Sequence, residues 1–96
     1  MIVVRDIFHL KFGKARDFKM AMENGKHLFD AAGISYRLLS DLVGDSYTFV
    51  LETTAPSLAE WESNLRDTMN DEWRRWYQTV TPLCESGKRE IFTVVE

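Results

Sequence analysis

The residues able to do chemistry in this 96-residue chain are few and scattered. Trp61, Trp73 and Trp76, with Tyr36, Tyr47 and Phe49, are large flat side chains that could wall a pocket for an apolar or aromatic molecule. The competing use of such rings is to fill the core of a small chain, and most of them are expected to do that. Trp61 and Trp73 are the ones expected to touch a cavity, because they flank a break near Asn70. Asp6 is the candidate catalytic residue. It interrupts an otherwise apolar strand face, and a carboxylate buried there would have its pKa raised by desolvation and could serve as a base. Pairing with a helix residue, or a bulge that turned it outward, would remove that role. His9 lies on the other face of the strand near Arg5, where it could act as a base or as a pH-sensitive interface group. His27 falls opposite the apolar face of its helix, in solvent. Neither histidine has a cysteine or carboxylate at ligand spacing, so no metal site is expected. Cys84 has Glu85 beside it and no helix N-terminus to lower its pKa, so it is not expected to be a nucleophile. Arg66, Arg74 and Arg75 could hold an anionic group, but read more simply as a solvated helix face. The five glycines stand apart, so there is no phosphate-cradling loop, and no cofactor is expected.

The elements that position these residues follow from periodicity. Ile2 to Phe12 reads as a β-strand. Ile2, Val4, Phe8, Leu10 and Phe12, with Asp6, share one face; Val3, Arg5, Ile7, His9 and Lys11 share the other. Ala15 to Ala32 fits one amphipathic helix, with Phe18, Ala21, Met22, Gly25, Leu28 and Phe29 on the apolar side and Gly33 as its left-handed stop. Ile34–Val43 and Ser46–Thr54 read as a hairpin around a two-residue Gly44-Asp45 turn of type II′. That turn sets a register pairing Leu42 with Tyr47, Leu38 with Leu51, Tyr36 with Thr53 and Arg37 with Glu52. Ser57 and Glu60 form a capping box. Leu58, Trp61, Leu65 and Met69 make a stripe behind it. Asn70 or Asp71 caps a second segment carrying Trp73, Trp76, Tyr77 and Val80, unless the two segments are one bent helix. Pro82 ends it, Gly87 is expected to break the chain, and Arg89 to Val95 is the last strand.

The order β-α-β-β-α-β is that of a ferredoxin-like α+β fold, an antiparallel sheet with helices on one face and strands one and three in the centre. The chain is expected to form one domain over residues 1–96. Phe8, Leu10, Leu38, Phe49, Leu51, Phe92 and Val94 are expected to face the helices. Ile7, Leu39, Val50, Ile91, Thr93 and Val95, with Arg5, His9, Arg37, Asp41 and Glu52, are left on the reverse face. Nothing in the chain remains to cover that face, so a homodimer built sheet to sheet is expected, with Arg5, Ile7, His9, Leu39, Val50, Ile91, Thr93 and Val95 at the interface.

Composition agrees. A hydrophobic fraction of 45% with 12% aromatic is more apolar surface than so short a chain hides well alone. A net charge of −3 gives no basic footprint for nucleic acid. No apolar run reaches membrane-spanning length, and the N-terminus has no signal-peptide pattern. One cysteine permits no internal disulfide and points to the cytoplasm.

Two stretches carry a family resemblance. One is the strand, Gly-Lys turn and helix of FHLKFGKARDF, Phe8 to Phe18. The other is the helix start, proline, Ser-Gly turn and strand of DEWRRWYQTVTPLCESGKREIF, Asp71 to Phe92. With the element order, they make the chain resemble the dimeric α+β barrel superfamily. Within it the chain is most similar to the NIPSNAP-like group, whose relatives include antibiotic-biosynthesis-type monooxygenases. The resemblance implies a dimeric barrel with a pocket in each subunit between sheet and helices. It does not imply one chemistry, because the superfamily holds monooxygenases, haem degraders, isomerases and regulators. Haem degradation there uses an Asn, Trp and His set; here the first strand has no asparagine and His27 faces away, so haem chemistry is not expected. Three functions remain. The first is a protein binding a small apolar or aromatic molecule between sheet and helices, with Tyr36, Phe49, Trp61, Trp73 and Trp76 as the pocket. The second is a cofactor-independent monooxygenase or related enzyme using Asp6. The third is a non-catalytic dimerisation module.

Overall fold

The computed structural model describes residues 1–96 and gives a four-stranded antiparallel sheet with helices packed on one face. The elements in chain order are β1 (Ile2–Leu10), α1 (Ala15–Asn24), α2 (Lys26–Ala31), β2 (Tyr36–Ser40), β3 (Thr48–Ala55), α3 (Leu58–Thr68), α4 (Asp71–Val80) and β4 (Cys84–Thr93). A short 3-10 turn, Thr81–Leu83, holds Pro82 and joins α4 to β4. The strand order is β2-β3-β1-β4, so β1 and β3 are central. This is the ferredoxin-like βαββαβ arrangement expected from the periodicity. The core gathers Leu10, Phe49 and Leu51 of the sheet against Phe18, Ala21, Met22, Leu28, Phe29, Trp76 and Val80 of α1, α2 and α4. Burying such side chains contributes about 1.5–3 kcal/mol each.

The β2–β3 register is the expected one: Tyr36 opposes Thr53, Arg37 opposes Glu52 and Leu38 opposes Leu51. Its turn is not. The ladder stops at Asp41 and Thr48, leaving a six-residue connection in place of a two-residue turn. The cause lies at both ends of that connection. Asp41 Oδ1 accepts from the Thr48 amide, and the Tyr47 carbonyl is taken by the Leu10 amide of β1 at 2.9 Å. Tyr47 reaches that position at a φ of 60°, so Leu42 cannot pair with it. Leu42 and Val43 stay in solvent.

Two other expectations are corrected. The long first helix is divided at Gly25, against which the Trp76 indole packs so closely that a side chain there would overlap it. Gly33 ends the second piece at a φ of 70°, with Ile34 donating to the Phe29 carbonyl in a Schellman closure. The last strand begins at Cys84, three residues before Gly87, and Gly87 sits inside the ladder opposite Phe8. The register slips once, between His9 and Leu10, leaving Glu85 as the extra residue of a bulge. Facing therefore alternates opposite to expectation. Ile91 and Thr93 stand opposite Val4 and Ile2 on the helix side, so neither belongs to the reverse face. Phe92, expected under the helices, is on the reverse face, with the Arg5 guanidinium 5.4 Å from its ring. Val95 lies beyond the strand end and is exposed.

The reverse face is crossed by a row of charges, Arg37-Glu52-Arg5-Glu90, one per strand. Glu52 accepts from Arg37 Nε at 2.8 Å and from Arg5 Nε at 3.0 Å. The Arg37 hydrogen bond, reinforced by Arg5, outweighs the burial of Glu52 and holds its carboxyl below the usual range. Ile7, Leu39, Val50 and Phe92 flank the row; Leu39 is 37% and Phe92 46% exposed.

Candidate ligand site

The site begins with a helix that does not close down on the sheet. Ser57 caps α3, its side chain accepting from the Glu60 amide at 3.2 Å. Asn70 caps α4 in the same way, accepting from the Trp73 amide at 2.9 Å. Two capped starts fix a sharp break at Met69-Asn70, so α3 and α4 are separate helices. α4 seats Trp76 and Val80 in the core, whereas α3 buries no residue at all. The apolar stripe of α3 is held off the strands, and a cleft opens beneath it.

That cleft is about 530 Å³, within the range of small-molecule sites. Ten of its fourteen lining residues are hydrophobic. Its walls are Leu65, Met69, Trp73, Trp76, Tyr77 and Val80 from the helices, and its floor is Phe8 and Leu51 of the sheet. Gly87 completes the floor. A side chain there would project into the cleft, and its absence leaves the space beside Phe8 open. A smaller space of about 90 Å³ adjoins it, reaching Trp61, Phe29 and Ile34. The two share Asp6, Leu51, Leu65, Trp73 and Arg89.

The aromatic wall is internally braced. Trp76 Nε1 donates to the Ala21 carbonyl at 2.7 Å, so its buried N–H is satisfied. Trp73 tilts against Trp76 at 4.8 Å and stacks on Tyr77 at 5.8 Å and 12°. Phe29 meets both indoles edge-on. Of the five aromatic residues expected at a pocket, Trp73 and Trp76 border the cleft and Trp61 borders the adjoining space. Phe49 and Tyr36 do not. Phe49 is packed on Phe18 at 4.9 Å, and Tyr36 on Phe29 at 4.9 Å. Both are core residues, the commoner fate of large rings in a small chain.

One charged pair stands at the edge of the cleft. Asp6 faces the helices, as its strand position requires, but its partner is on a strand. Arg89 lies directly opposite across β4, and its Nε donates to Asp6 Oδ1. The Asp6 side chain is 22% exposed and that of Arg89 44%. The Arg89 guanidinium also lies 5.0 Å from the centre of the Trp61 ring, in cation–π contact. A carboxylate engaged this way is not a free base. Burial, followed by the negative charge of Asp6, pushes the Tyr77 phenol above its ordinary value, so it remains a hydroxyl donor at neutral pH.

The remaining candidates lie elsewhere. His9 is on the reverse face, 3.5 Å from the Thr48 hydroxyl. His27 meets Glu72 at 2.9 Å in solvent, tying α2 to α4. Burial pushes the Cys84 thiol up, and its Sγ lies 3.6 Å from the Val80 carbonyl. Arg66 pairs with Glu62 and Arg74 with Asp71 on exposed helix surface. No three His, Cys, Asp or Glu side chains come together as a metal cage. No helix is long and apolar enough to cross a membrane. Arg89 and Gly87 are the residues that sequence reasoning missed. Asp6 was visible as the polar intruder on an apolar face, but finding Arg89 opposite required the correct facing of β4.

The fold recurs in solved structures. A NIPSNAP domain protein from Burkholderia xenovorans matches 99% of this chain over 95% of its own, with a TM-score of 0.91 and 12% identity. The fold is that of the NIPSNAP-like proteins. A candidate antibiotic biosynthesis monooxygenase from Nitrosomonas europaea matches over all of both chains, with a TM-score of 0.76 and 20% identity. A variant of SnoaB, a cofactor-independent oxygenase from Streptomyces nogalater, covers 99% of this chain and 93% of its own, with a TM-score of 0.74 and 12% identity. No family model matches the sequence, and no curated protein matches it. The likeness to the NIPSNAP-like and monooxygenase-like proteins is thus one of fold.

Proposed function

We propose that this NIPSNAP-like chain binds a small apolar or aromatic molecule in the cleft between sheet and helices. The observation that carries this reading is the open space of about 530 Å³ walled by Trp73, Trp76, Leu65 and Met69, where a small chain would gain by packing solid. The test is a calorimetric titration with 3-phenylpropan-1-ol on the wild type and on Gly87→Leu. The glycine has a non-positive φ, and a β-carbon there meets nothing closer than 3.4 Å, so the variant fills the cleft with little backbone strain. Binding should be measurable in the wild type and lost in Gly87→Leu. Equal binding by both, or no binding of this alcohol or of its acid and amine analogues, would refute the reading.

The binding subunit is one half of a homodimer packed through the reverse face. Only 14 of 96 residues are buried within the chain, and Ile7, Leu39, Val50 and Phe92 line a flank of the sheet that no helix covers. The interface residues on this reading are Arg5, Ile7, His9, Leu39 and Val50, with Phe92 in place of Ile91, Thr93 and Val95. Light scattering should give twice the chain mass of 11.2 kDa, and Val50→Lys should return the monomer. A wild-type monomer would overturn it. The half-buried lone thiol of Cys84 fits a reducing cytoplasm.

A monooxygenase reading draws on the SnoaB-like fold and ranks second, because Asp6 is tied to Arg89. Oxygen uptake with quinols that Asp6→Asn abolished would place it first.

A further inference from the structure

We propose, building on the binding role of the cleft, that its ligand is a monocarboxylic acid with a flat apolar body, the carboxylate held by the two terminal nitrogens of Arg89. Asp6 takes Nε, and the Trp61 ring lies 5.0 Å from Cζ. These two contacts fix the plane of the guanidinium. Its terminal nitrogens make no hydrogen bond within the chain and remain donors at the polar edge of both spaces. A planar pair of N–H donors with a fixed orientation matches a carboxylate in two-point fashion. Asp6 is the positioning residue, and its ion pair also offsets the charge of Arg89. Tyr77 borders the same cleft, and its hydroxyl is a donor. An amine is disfavoured, since the carboxylate oxygen left to an ammonium, Asp6 Oδ2, lies beside the Arg89 guanidinium, which repels it. The apolar body lies between Trp73 and the floor of Phe8, Leu51 and Gly87.

Three probes with one shared body separate the alternatives: 3-phenylpropanoate, 3-phenylpropan-1-ol and 3-phenylpropan-1-amine, titrated calorimetrically into the full chain at pH 7. The acid should bind at least about tenfold more tightly than the alcohol, as a charge-assisted two-point contact provides. Arg89→Met should abolish the preference for the acid over the alcohol. Arg89→Lys keeps the positive charge without the fork and should lose part of the preference; a wild-type preference in it would overturn the fork assignment. Asp6→Asn keeps an acceptor for Nε and should keep the acid preference, whereas Asp6→Leu removes the acceptor and should lose part of it; a wild-type preference in Asp6→Leu would contradict the positioning role. Equal binding of acid and alcohol, or preference for the amine, overturns the carboxylate assignment and leaves the cleft as a binding site. No binding of any of the three overturns both.

Discussion

Replacing Gly25 with alanine should be among the most damaging single-methyl changes available in this chain. A β-carbon at position 25 would overlap Cε2, Nε1 and Cζ2 of Trp76, all at 2.5 Å or closer, so the indole must move. It has little room to do so. Phe29, Trp73 and Tyr77 contact its ring, and its N–H is fixed on the Ala21 carbonyl. Overpacking costs about 1–3 kcal/mol, and a buried N–H left unpaired costs about 1–3 more. Against that, alanine gains about 0.4–1 kcal/mol from a less flexible unfolded chain, because Gly25 has helical backbone angles. The net loss should be about 2–4 kcal/mol, which lowers Tm by about 10–25 °C in a chain of this size. Urea unfolding followed by far-UV circular dichroism, at matched protein concentration, measures it. Combining Gly25→Ala with Trp76→Phe should recover part of the loss, since phenylalanine lacks Nε1 and the second ring. A Gly25→Ala protein as stable as the wild type would refute the close seating of Trp76, and with it the position of the aromatic wall.

Other expectations concern ionisable groups. Because Glu52 has a depressed folded pKa, its contribution to stability is present above the ordinary carboxylate range and is lost as pH falls through the folded value. Glu52→Gln should therefore cost about 1–2 kcal/mol at pH 7, since both arginines keep solvent access, and the difference should shrink below about pH 4. A pH-independent difference would contradict the double Arg pairing. Burial raises the pKa of Cys84, so it should react with a disulfide reagent at pH 8 more slowly folded than in urea. Equal rates would contradict its burial under Val80.

Several features of the fold were legible because two signals agreed. The β2–β3 register was read from an expected two-residue turn, with the Arg37–Glu52 pairing as a second witness, and it held even though the turn did not. The Ser57 capping box marked the start of α3 directly, and Asn70 was one of two candidate caps for α4. The last strand misled because Ile91, Phe92, Thr93, Val94 and Val95 could serve on either face, and Ser86-Gly87 has the look of a turn. Its facing is set by pairing with β1 beyond a bulge, which no local pattern announces. That error hid Arg89 from Asp6 and Gly87 from the cleft. Gly25 was hidden differently. It fits the apolar stripe of a continuous helix, and the indole that leaves no room for a side chain there lies 51 residues later at Trp76. Such contacts depend on packing between distant elements, whereas caps and alternation are local.

A crystal structure of the protein grown with 3-phenylpropanoate tests the account most directly. The account predicts the phenyl ring between Trp73 and Gly87, and the carboxylate on the terminal nitrogens of Arg89. A cleft filled by inward movement of Leu65 and Met69 of α3, with no ligand between helices and sheet, would contradict it.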